Sequence, residues 1–123
     1  MVSLNYCYQI VCSKIAQEIA SLGYSTQLGI NHISEYNYLN LADDFIEPYR
    51  PIVDYYVYQV LQKSDVEYLT PKLKRDLVAL LNYEIILEQS KIQIHISIQF
   101  YVQSLVAFLE TGDVGKIIFP RLK

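Results

Sequence analysis

Pro48 and Pro51 stand three residues apart in the run Glu47-Pro48-Tyr49-Arg50-Pro51. The apolar residues on either side recur at helical steps. A proline has no backbone N–H to donate, and it disfavours helical conformation in the residue before it. One unbroken helix is therefore excluded here. A helix beginning near Leu41 must be interrupted at this run, and Pro51 suits the first turn of the helix that follows, where its missing N–H costs nothing. That second helix, with Ile52, Val53, Tyr56, Val60 and Leu61 apolar, is expected to end near Lys63.

The remaining periodicity is also helical. Leu4, Tyr8, Val11, Ile15, Ile19 and Leu22 fall at three- and four-residue steps, which predicts a helix over 4–22, with Gly23 just past its end. Residues 24–38 read as loop. Asn40 suits an N-cap, and Asp43 places a negative charge near the positive end of the helix. Lys63-Ser64-Asp65 reads as a polar linker. Thr70 caps a helix opened by Pro71, with Leu73, Leu77, Leu80 and Leu81 as its buried stripe. Ile85-Ile86-Leu87 and Ile92-x-Ile94 flank Glu88-Gln89-Ser90-Lys91, the pattern of a small hairpin. Residues 95–110 return to helix, capped by Gly112, and 113–123 read as an extended tail. The fold class expected is all-α: a single helical domain over 1–123, a bundle with one small β-hairpin.

Hydrophobic residues make up 52% of the chain and charged ones 19%, a balance that excludes disorder and fibre. No apolar run reaches bilayer length and the start lacks the layout of a signal peptide, so a cytoplasmic protein without a membrane role is expected. Cys7 and Cys12 lie on different faces of their helix without nearby ligand partners, and read as reduced core fillers. The formal net charge of −3 argues weakly against a DNA-binding surface.

Several side chains are candidates for chemistry, and each has a plainer reading. His32 is either a metal ligand or a loop histidine bonded to backbone. Asp44 and Glu47, three apart, share a helix face, and hard cations such as Mg2+ and Mn2+ favour such oxygen donors. Glu47 is expected to be a buried, partnered carboxylate, given Pro48 and its half-apolar surroundings. Asp44 is either a helix-terminal charge or a companion to the metal. Arg50 pairs with Glu47 or Asp54, the reading favoured here, or meets a phosphate. Asn5 is a helix-surface amide or a hydrogen-bonder beside the site, and Tyr6 and Tyr8 are core aromatics. Lys72, Lys74 and Arg75 form a solvated face or a DNA-backbone contact. His95 reads as structural. Neither a nucleophile elbow nor a phosphate-binding glycine loop occurs.

Leu28-Gly29-x-x-His32, followed by Leu41-Ala42-x-Asp44-x-x-Glu47-Pro48-Tyr49-Arg50-Pro51-x-x-Asp54, closely resembles the CRISPR-associated endonuclease/integrase family ("Cas one"), most of all its type II branch. Leu4-Asn5-Tyr6-x-Tyr8 resembles that family's early signature. Tyr101-Val102-x-Ser104 with Gly112-Asp113 resembles its ending. The likeness runs over essentially the whole chain.

The resemblance implies a metal-dependent DNA endonuclease/integrase of spacer acquisition, with Mg2+ or Mn2+ as cofactor. His32 and Glu47 would be the second and third of three metal ligands, Asp44 a further catalytic residue, and Asn5 and Arg50 possible DNA or supporting contacts. Members of the family act on DNA (the prespacer and the CRISPR repeat), join a small partner protein ("Cas two") and form homodimers. They carry a β-rich N-terminal lobe and an upstream glutamate ligand, neither of which is expected within these 123 residues. The chain is therefore expected to be the C-terminal catalytic lobe alone and inactive by itself. The alternative is a non-catalytic helical interaction module.

Overall fold

The computed structural model describes residues 2–23, 44–63 and 69–123. Among them are four α-helices and a two-stranded antiparallel sheet, as the periodicity predicts. Helix α1 spans Val2–Gly23, α2 Arg50–Gln62, α3 Pro71–Val78 and α4 Ile94–Thr111, while β1 (Glu84–Leu87) and β2 (Ser90–Gln93) form the hairpin. Helix α1 is the central element and packs against α2, α3 and α4. Its stripe of Cys7, Val11, Ile15 and Ile19 is buried, at successive four-residue steps. Leu4, Tyr8 and Leu22, expected on the same stripe, lie half-buried at its rim.

Local chemistry accounts for the boundaries. Thr70 Oγ1 accepts a hydrogen bond from the Leu73 N–H at 3.1 Å, and Pro71 fills the first helical position of α3. Gly112 ends α4 at φ +75°, a left-handed conformation that glycine adopts without penalty. The double proline acts as the sequence requires. Asp44 and Phe45 are helical, Glu47–Tyr49 form a 3-10 turn, and α2 restarts at Arg50 with Pro51 in its opening turn. The expected Asn40 cap, the loop over 24–38 and the linker at Ser64-Asp65 lie outside the described residues.

The C-terminal segment departs from expectation. Rather than staying extended from Asp113, it forms a 3-10 turn at Val114–Lys116. It then returns to the hairpin, where Arg121 pairs with Ile86 through two backbone bonds of 2.9 and 3.0 Å. The free edge of β1 is thereby covered over one residue. Ser104 Oγ on α4 accepts from the Ile118 N–H at 3.0 Å and steers the return.

The hairpin turn has two residues, Glu88 and Gln89, both at positive φ (49° and 70°). Positive φ at both central positions is what a type I′ turn requires, and asparagine followed by glycine meets it with less strain. The double substitution Glu88→Asn/Gln89→Gly is expected to stabilise the fold by about 1 kcal/mol. A urea titration yielding an unchanged or lower midpoint would contradict that turn geometry.

Cys7 is fully buried and its thiol points to the Leu77 carbonyl at 4.0 Å. Burial pushes this thiol from 9.0 up to about 12. The folded state thus keeps a proton that the unfolded chain releases near pH 9. The stabilisation is complete below pH 9 and is lost as pH rises toward 12. Cys7 is expected to resist a disulfide reagent at pH 8 in the native protein and to react once guanidinium unfolds it. Equal labelling in both states would refute the burial.

Candidate functional site

The acidic turn is held from below. Tyr49, third in the 3-10 turn, is completely buried. Ser97 on α4 donates its hydroxyl proton to the Ile94 carbonyl at 2.7 Å, so the 2.9 Å contact with Tyr49 must be donated by the phenol. Tyr101, one turn further along α4, meets the Tyr49 ring edge-on, with centroids 5.4 Å apart and planes at 77°. Its own hydroxyl donates to the Phe45 carbonyl at 2.8 Å. Burial, and behind it the negative charge of Glu47, hold the Tyr101 phenol above its ordinary value. Two tyrosines thus fix the backbone on both sides of Glu47 to a helix distant in sequence, which begins at Ile94.

Above this base the side chains are polar and open. Glu47 Oε1 accepts from Arg50 Nε at 3.0 Å, with the two side chains 67% and 43% exposed. Glu47 is therefore not the buried carboxylate its surroundings suggest. The short turn directs Tyr49 into the core and leaves Glu47 on the solvent side. An exposed pair of this kind contributes at most about 1 kcal/mol, so the tyrosine anchors and not the ion pair hold the turn in place. The Arg50 guanidinium lies 4.9 Å from the centroid of the Tyr8 ring. The Tyr8 hydroxyl donates to Asp54 Oδ1, one turn beyond Arg50 on α2. Burial and then the bond to Asp54 raise the Tyr8 phenol above its usual value.

Of the residues singled out from the sequence, Glu47 and Arg50 are brought together, and Arg50 pairs with Glu47 while Asp54 takes Tyr8. Asp44 is exposed, one turn before Glu47. Asn5 is exposed on α1, one turn before Tyr8. Tyr6 and Tyr8 border the core as half-buried side chains. His32 and Asp43 lie outside the described residues. Among the described residues, no three His, Cys, Asp or Glu side chains converge as a metal site would require. Lys72, Lys74 and Arg75 are exposed on α3, around the buried Leu73 and Leu77. His95 bonds Gln93 at 2.9 Å, the structural role expected of it. No helix among the described residues is long and apolar enough to cross a membrane. Sequence reasoning missed the part played by Tyr49, Ser97 and Tyr101. The available signal was a single aromatic, Tyr49, placed between the two prolines that interrupt the helix.

The sequence pattern of the family described as CRISPR associated protein Cas1 matches residues 2–83, from α1 through α3. The chain belongs to that family. It is 34% identical over 115 residues to the CRISPR-associated endonuclease Cas1 of Neisseria meningitidis serogroup C (strain 8013), an alignment covering 93% of this chain and 36% of the relative. It is 25% identical over 118 residues to the CRISPR-associated endonuclease Cas1 of Korarchaeum cryptofilum (strain OPF8), covering 89% of this chain and 35% of the relative. The chain thus spans little more than a third of the length of these Cas1 relatives. The Cas1 match includes α1, the acidic turn and α2, the three elements that meet at the Glu47–Arg50–Tyr8–Asp54 cluster.

Removing the Tyr101 hydroxyl with Tyr101→Phe leaves the Phe45 carbonyl without its donor. A loss of about 1–2 kcal/mol is expected in urea unfolding. Removing the exposed acid with Glu47→Gln should change stability by less than about 0.5 kcal/mol. Equal losses for the two variants would contradict the division between buried anchor and exposed acid.

Proposed function

We propose that this chain contributes to a divalent-cation site of a Cas1 DNA endonuclease/integrase, acting on a prespacer and a CRISPR repeat during spacer acquisition in the cytoplasm. What supports the reading is the Glu47 carboxylate. It is solvent-facing, set on a turn fixed by two buried tyrosines, and held at one oxygen by Arg50. Hard oxygen donors of this kind suit Mg2+ or Mn2+. By family likeness His32 joins Glu47 as a ligand, and Asp44 orients a water. Arg50 and Asn5 line the approach to the DNA. Glu47 and His32 would hold the cation, which when bound would polarise a phosphodiester and offset charge on its oxygens. The protein's own residues bind and orient; no covalent intermediate on the chain is required. The full assembly is a homodimer joined by the small partner protein of the same module, and this chain alone cuts DNA little or not at all.

The test is Mn2+ titration calorimetry on the wild-type chain, His32→Ala and Glu47→Ala. Weak binding that falls on the order of tenfold or more in each variant is expected. Identical heats in all three would overturn the metal site and favour a non-catalytic helical interaction module.

A further inference from the structure

We propose that Tyr8 is a positioning residue for Glu47, acting through Arg50. This rests on the reading of Glu47 as a cation ligand and extends it to α1, a helix to which no ligand is assigned. Arginine is a long side chain with many rotamers, and a single N–H to an exposed carboxylate does not select one of them. Tyr8 supplies the missing constraint twice. Its ring lies beneath the guanidinium, 4.9 Å from Arg50 Cζ, and its hydroxyl is held by Asp54, one turn further along the helix that Arg50 opens. The ring is therefore gripped at its edge and occupied on its face by residues of the same helix. Its backbone is fixed in turn, because Cys7 and Val11 on either side are fully buried. With the guanidinium laid on this platform, its Nε meets Glu47 Oε1 at 3.0 Å, which restrains that oxygen of the carboxylate. Hydrogen-bonded partners of ligating carboxylates commonly affect metal affinity about 10–100-fold, although they touch no metal.

Three variants separate the parts. Tyr8→Phe keeps the platform and drops the bond to Asp54, Tyr8→Leu drops both, and Arg50→Lys keeps the charge but loses the planar fork. The first readout needs no metal. In an 15N correlation spectrum, the Arg50 Nε–H proton of the wild-type chain is expected to be ring-shifted and slowly exchanging. Tyr8→Leu should abolish both properties and Tyr8→Phe should largely retain the shift. The second readout is Mn2+ affinity by loss of the free-ion electron paramagnetic resonance signal. A loss on the order of tenfold is expected for Tyr8→Leu and Arg50→Lys, with Tyr8→Phe restoring most of it. An Arg50 signal unchanged by Tyr8→Leu would overturn the platform. A wild-type chain that binds Mn2+ no better than Tyr8→Leu would overturn the positioning role. A wild-type chain that binds none at all would overturn the underlying metal reading, and the positioning role with it, while the Arg50 signal still reports whether the platform exists.

Discussion

A proline pair forces a break in a helix, and a break exposes backbone groups and loosens whatever it carries. Here the break is made rigid by burying the residue between the prolines. Tyr49 takes the full core position, donates its hydroxyl to Ser97 and stacks edge-on against Tyr101, which itself holds the Phe45 carbonyl. Removing the aromatic ring at such a site costs about 3–5 kcal/mol, several times what the exposed ion pair above it contributes. The position of Glu47 follows from this anchor. So does the start of α2, and with it the placement of Arg50 and Asp54 opposite Tyr8.

Tyrosine performs the same task elsewhere. The chain has 12 tyrosines and no tryptophan. The Tyr56 hydroxyl donates to the Asp76 carbonyl at 2.6 Å, joining α2 to α3, and its ring meets Tyr83 edge-on at 5.3 Å. Tyr8 joins α1 to α2 in the same manner. A ring that packs and a hydroxyl that bonds across an element boundary together give area and direction in one residue. That combination suits a small domain, which has limited core volume to hold its helices in register.

The sequence made the helical elements legible where a local rule fixes them. Thr70-Pro71, Gly112 and the double proline each act through their own backbone chemistry, and each lies where expected. The hairpin was legible from its apolar flanks, but the turn is only Glu88-Gln89: Ser90 and Lys91, expected in the turn, pair as strand, and Ile94, expected in the strand, opens α4. Three features were not legible, because each depends on partners distant in sequence. Tyr49 pairs with residues on α4, Ser104 redirects the tail, and Ile86 receives Arg121 as a short third rung. Glu47 was misread as buried for a related reason. An apolar neighbourhood in sequence does not state which side of a 3-10 turn faces the core.

An exposed acid on a buried base suits the role proposed for Glu47, a ligand to a cation near a phosphate. A buried carboxylate would need donors to offset its desolvation, and those donors would compete with a cation for its oxygens. Exposure removes that cost but ordinarily sacrifices orientation. The orientation is recovered here by dividing the work: Tyr49 and Tyr101 fix the backbone from below, while Tyr8 and Arg50 fix the side chain from the rim. The acidic net charge is compatible with the same arrangement. A divalent cation at the Glu47 face, as proposed, would offset the charge of the carboxylates around it, whatever the sign of the chain as a whole.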